Sequence, residues 1–177
     1  MMKKTLPKIL IFMLLIVFFI PTNASAYTKA GFVMTKSSAK NFKIYINGSA
    51  KGFKSIILNG AKSWNPSPYL NTISMGNDVN PHFTVSNSAT NKGDIVAICN
   101  TSYYKTNKIV AKNEITLYKQ FRSLSTNHKT ETIVHEFGHG FGLGHVKTKN
   151  AIMLDKGFIN KIKPQADDLN GIKALYK

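Results

Sequence analysis

The chain has 177 residues, room for one ordinary domain, and its hydrophobic share of 43% argues against disorder as the default state. Its 24 Lys and Arg against 8 Asp and Glu give a formal charge of +16, which favours acidic partners such as anionic surface polymers. The basic residues are scattered rather than gathered beside aromatics, which speaks against a nucleic-acid platform, and the single Cys99 excludes an internal disulfide.

Met1 to Lys8 carries Lys3, Lys4 and Lys8 and no acid, Ile9 to Ile20 is apolar without interruption, and Pro21 to Ala26 ends in Ala24-Ser25-Ala26. A positive segment, an apolar segment and a small-residue cleavage site in that order read as a secretory leader over residues 1–26. The apolar run is shorter than the roughly 20 residues a membrane-spanning helix needs, so an uncleaved anchor is the second reading. The mature domain is then expected over residues 27–177, secreted, with no span after leader cleavage and as a monomer. Losing three lysines takes the charge from +16 to +13.

Phe42-Lys43-Ile44-Tyr45-Ile46 alternates and is bounded by Asn47-Gly48, which predicts a strand. From Gly52 to Trp64 the apolar residues recur at helical spacing and stop before Asn65-Pro66-Ser67-Pro68. His82 to Val85, Ile95 to Ile98 and Glu114 to Tyr118 are short candidate strands. A second helix is predicted from about Asn127 to Leu143. A last one spans Pro164 to Tyr176, with Asp167 and Asp168 at its positive end. The order strand, helix, strands, helix, loop, helix predicts an α/β (α+β) domain, a mixed sheet flanked by helices. Among these elements Glu131 and Thr132, one turn before His135, read as ordinary helix surface, with support of the site as the alternative.

His135-Glu136-Phe137-Gly138-His139-Gly140-Phe141-Gly142-Leu143-Gly144-His145 carries the chemistry. Residues four apart share one helix face, so His135 and His139 can aim at a single point. His145 lies too far along for that face, so the chain must turn back, and Gly142 and Gly144 suit such a turn. Three neutral imidazoles leave the fourth position of a tetrahedral zinc open for water, and Glu136 beside it can act as general base without being a ligand. A bare H-E-x-x-H arises by chance in roughly one chain in a few hundred, and the added glycine and third histidine lower that about a thousandfold.

The stretch reproduces the metzincin signature H-E-x-x-H-x-x-G-x-x-H. Asn150-Ala151-Ile152-Met153 resembles the Met-turn that follows it, with Met153 packing beneath the histidines. Pro164 to Tyr176 is similar to the closing helix of matrixins, and the strand at Phe42 to Ile46 with the helix ending at Trp64 resembles their opening. The resemblance implies a zinc endopeptidase with a mixed twisted sheet, an active-site helix and a C-terminal helix about a zinc cleft. An extended protein or peptide substrate would lie along a sheet edge that the sequence leaves unidentified.

Several residues depart from the matrixin pattern. Val146 stands where Ser or Thr is usual, and Leu154-Asp155 replaces the segment that shapes the specificity pocket. His82 and His128 are too few for the family's structural zinc site, and Asp78 and Asp94 give thin grounds for calcium. No cysteine-switch motif is present, so Cys99 is expected to be a small buried hydrophobe. A non-catalytic zinc-containing module binding anionic surface polymers is the alternative function; Glu136 speaks against it, because a structural zinc needs no such carboxylate.

Overall fold

The computed structural model describes residues 27–75 and 80–177, with the backbone alone at 73–75. The leader reading over residues 1–26 and the calcium candidate Asp78 fall outside the described residues. No helix among these residues is long and apolar enough to cross a membrane.

Among the described residues, seven strands and four helices follow one another: β1 (Thr28–Lys29), α1 (Lys36–Lys40), β2 (Phe42–Ile46), α2 (Lys54–Lys62), β3 (Thr72–Met75), β4 (Phe83–Asn87), β5 (Ala97–Tyr103), β6 (Val110–Leu117), α3 (Thr126–Gly140), β7 (Leu143–Gly144) and α4 (Ala166–Tyr176). Short 3-10 turns at Gly48–Phe53 and Lys119–Ser123 lead into α2 and α3. The main sheet runs in the order β3-β2-β4-β6-β5, parallel except at the β6–β5 pair, while β1 and β7 form a separate antiparallel pair. The expected mixed sheet flanked by helices is therefore the observed architecture.

The alternation in β2 does what its period requires. Phe42 and Ile44 are fully buried and Lys43 is exposed, so one face supplies the core. Phe83 and Val85 of β4 and Ile115 and Leu117 of β6 extend that face. Phe42, Phe83, Phe137 and Phe141 meet there with centroids 4.7 to 6.3 Å apart, edge-on or tilted except for the stacked Phe137–Phe141 pair, and Trp64 closes the cluster 5.5 Å from Phe141. The Trp64 indole N–H donates to the Val134 carbonyl at 3.1 Å, which fixes α2 against α3 without leaving a buried donor unpaired.

The boundaries differ from the expected ones where polarity misleads. Of the segment read as a strand at 95–98, only Ala97 and Ile98 lie in a strand, as the start of β5, which runs on through Asn100, Thr101 and Ser102; those polar residues are held by the ladder to β6. β6 begins at Val110 rather than Glu114 for the same reason. β3 and α1 were not expected; α1 buries only Ala39, too little for a periodic pattern. The last helix starts at Ala166, not Pro164: Gln165 is its N-cap, with Gln165 and Asp168 forming a reciprocal capping box.

Candidate metal centre

α3 begins where the Ser125 hydroxyl accepts the His128 N–H, and it runs for 15 residues without a break. Two glycines inside it are dictated by packing. A Cβ at Gly138 would sit 2.3 Å from Met153 Sδ, and one at Gly140 would sit 2.2 Å from Phe83 Cε1. The helix ends at Gly140 with Phe141 as its C-cap; Gly142 just beyond it has a φ of +100° that reverses the chain, and a Cβ there would also strike the Phe32 carbonyl oxygen at 2.4 Å. Gly144, expected to share that role, does not use positive φ. It lies in β7 opposite Thr28, where Thr28 Cγ2 would be 3.1 Å from a Cβ. The turn and the β1–β7 pair together bring His145 back to the face that carries His135 and His139.

The three imidazoles converge. His145 Nε2 lies 3.2 Å from His135 Nε2 and 3.1 Å from His139 Nε2. Their outer nitrogens are all engaged. His135 Nδ1 is 2.7 Å from the Ile152 carbonyl and His139 Nδ1 is 2.9 Å from the Leu143 carbonyl. A carbonyl can only accept, so both Nδ1 atoms carry the proton and both Nε2 atoms present bare lone pairs. His145 Nδ1 faces the Asp155 carboxylate at 3.3 Å. Burial, reinforced by the neighbouring His139 and His145, pushes His135 down to about 3; burial and His145 push His139 down to about 4. Bare nitrogen lone pairs face to face repel unless a cation sits between them, and three neutral imidazoles are a donor set suited to zinc. Among the described residues this is the one group of three His, Cys, Asp or Glu side chains able to hold a metal ion.

The supporting partners were not legible in the sequence. The Ile152 carbonyl that orients His135 is held by Asp168 of α4, whose carboxylate accepts the Ile152 N–H at 2.8 Å, the Met153 N–H at 3.2 Å and the Gln165 N–H at 2.7 Å. Val146, in place of the usual hydroxyl residue, is buried and ties the return of this loop: its N–H donates to the Met153 carbonyl and its carbonyl accepts from Asp155. Met153 is itself buried beneath α3, as a core residue should be.

Glu136 is only 6% exposed and lines the same cavity as the histidines, a cleft of about 870 Å³. Burial pushes its carboxyl up to about 8, against a smaller lowering by the Cys99 N–H. β5 forms one wall with Ala97, Ile98, Cys99 and Thr101, and it is an edge of the main sheet. Cys99 packs as a half-buried hydrophobe against the core at the cleft wall, less deeply buried than expected, and burial together with Glu136 pushes its thiol up to about 12.

Glu131 and Thr132 also correct the sequence reading. They are not helix surface: Glu131 is 4% exposed and Thr132 is buried, because the 156–159 segment folds over this turn of α3. Glu131 Oε1 accepts the Ile159 N–H at 2.6 Å, and His128 stacks on Phe158 with centroids 4.0 Å apart while bonding Asn160 at 2.9 Å. His128 is thus an anchor for that segment. His82 accepts the Lys43 N–H through Nδ1 at 3.0 Å. Asp94 is exposed at the cleft wall.

No curated protein matches the chain. The family model described as Matrixin matches residues 56–177. That span contains the whole histidine constellation, Met153, Asp168 and the closing helix, so the chain belongs to the matrixins, a zinc metallopeptidase family acting on peptide substrates.

Proposed function

We propose that the protein is a secreted zinc endopeptidase in which His135, His139 and His145 hold the metal and Glu136 is the general base. The observation that carries this reading is the convergence of three Nε2 lone pairs beside a buried carboxylate in one cleft. When bound, zinc would polarise the scissile carbonyl and make an attacking water acidic near neutral pH. Glu136 accepts the proton of that water and delivers it to the departing amine. Ile152, Leu143 and Asp155 keep the three imidazoles aimed through their outer nitrogens. The open edge of β5 borders the cleft, and an extended peptide pairing with it would pass its scissile bond across α3.

Secretion rests on the leader at residues 1–26, whose removal leaves an N-terminus at Tyr27; sequencing of the protein recovered from culture medium tests this. The binding-module alternative is disfavoured by Glu136, which would be a costly buried carboxylate with nothing to do. The deciding experiment measures zinc content and cleavage of a quenched casein or gelatin substrate for wild type and Glu136→Ala. Zinc-dependent cleavage lost in a variant that still binds zinc is the expected result. Undiminished turnover in the variant removes Glu136 from its role.

A further inference from the structure

Glu131 is a carboxylate with one oxygen committed and one left over. Oε1 takes the Ile159 N–H, but Oε2 is buried and has no hydrogen-bond partner, although the residue lines the cleft. A buried anionic oxygen without a partner is expensive, and it is tolerated where a ligand supplies the missing donor. The surrounding electrostatics point the same way. The chain has 8 acids and 24 bases, yet Asp94, Glu131, Glu136 and Asp155 all line this one cavity, against Lys156 alone among the basic residues. A strongly cationic protein has thus gathered half of its acidic residues at the cleft. Two of those acids are already used: Asp155 faces His145, and Glu136 sits beside the histidines.

Glu131 lies one turn N-terminal to His135 on α3, about 6 Å along the helix axis. The cavity is also lined by Thr132, Ile152, Leu154 and Phe158, mostly apolar and suited to the methylene stem of a long side chain. Apolar lining together with a carboxylate oxygen that lacks a partner matches a lysine or arginine.

We infer that the cleft selects peptides carrying a lysine or arginine side chain beside the scissile bond, with Glu131 as the specificity-determining residue that receives its cationic head. The inference rests on the peptidase reading and names the substrate class for it. The charged partner supplies the donor that Glu131 Oε2 lacks, while the acidic cleft attracts cationic chains that the rest of the surface repels.

The test uses paired peptides that differ only in lysine or norleucine at each position flanking the scissile bond. Wild type should favour lysine at one position by about tenfold or more in kcat/KM. Glu131→Gln keeps an acceptor for the Ile159 N–H and should shrink the lysine-over-norleucine ratio to near one. Equal turnover of the two wild-type series overturns the inference while leaving the peptidase reading intact. So does a uniform loss across both series in Glu131→Gln, which would mark a purely structural residue. Binding of the same peptides to zinc-loaded Glu136→Gln by fluorescence anisotropy gives a readout independent of turnover. Tighter binding of the lysine member supports the selection even if wild type cleaves nothing, an outcome that would sink the peptidase reading alone; equal affinities overturn it.

Discussion

Asp168→Asn probes the joint between the closing helix and the metal centre. One carboxylate serves three backbone N–H groups: Ile152 and Gln165 through Oδ2 and Met153 through Oδ1. Asn retains one oxygen. If that oxygen replaces Oδ2, the Ile152 and Gln165 bonds survive in neutral form, and the Met153 N–H meets an amide NH2 group. A hydrogen bond to a charged acceptor contributes about 1.5–3 kcal/mol and one to a neutral acceptor about 1 kcal/mol, so weakening two and losing the third gives a gross loss of about 2.5–7 kcal/mol. Part is recovered, because burial holds the Asp168 carboxyl above its usual range despite these donors, and the amide carries no such penalty. A net destabilisation of about 2 kcal/mol should lower Tm by roughly 4–8 °C in a domain of this size. The second effect is at the metal. Ile152 both donates to Asp168 and accepts from His135, so a loosened Ile152 should weaken zinc binding by about tenfold. Calorimetry and zinc competition against a chelator read the two effects. A variant with unaltered Tm and unaltered zinc affinity would refute the claim that Asp168 positions His135.

His145→Ala removes one of three converging donors and should release zinc at chelator concentrations that wild type resists; unchanged metal content would take His145 out of the ligand set. Gly140→Ala should destabilise by about 1–3 kcal/mol despite alanine's better helix propensity, since its Cβ would fall 2.2 Å from a ring carbon of fully buried Phe83. A raised Tm would show that the ring can move aside. For His82, burial and then Lys43 hold the imidazole below its usual 6.5. Below that pH the unfolded chain takes up a proton that the folded chain refuses, so the stability this group contributes is complete above 6.5 and is lost as pH falls toward the folded value. His82→Asn can still accept the Lys43 N–H, so urea unfolding should show wild type losing ground to the variant between about pH 7.5 and about pH 5.5. A pH-independent difference would mean the imidazole does not titrate there.

What the sequence determined by itself was the local chemistry. His135 and His139 must share a face because a helix repeats every 3.6 residues, and a glycine had to stand at 142 because the chain reverses there at positive φ. Strand β2 and the helix leading to Trp64 were legible because their apolar periodicity is complete within a few residues. Contacts between segments far apart in the chain left no such trace. Beyond Ile98 the polar residues of β5 show no strand pattern until β6 supplies their ladder, and only the strand order shows that β5 is an edge. Glu131 looks like solvated helix surface until the 156–159 segment folds over it, and Asp168 looks like a helix-capping acid until the loop carrying Met153 arrives with two N–H groups. Periodicity is a property of neighbours along the chain, whereas burial of a charge and the partner that justifies it depend on which distant backbone arrives beside it. The converging histidines could therefore be read from spacing alone, while the groups that orient them and line the cleft were decided only by the tertiary fold.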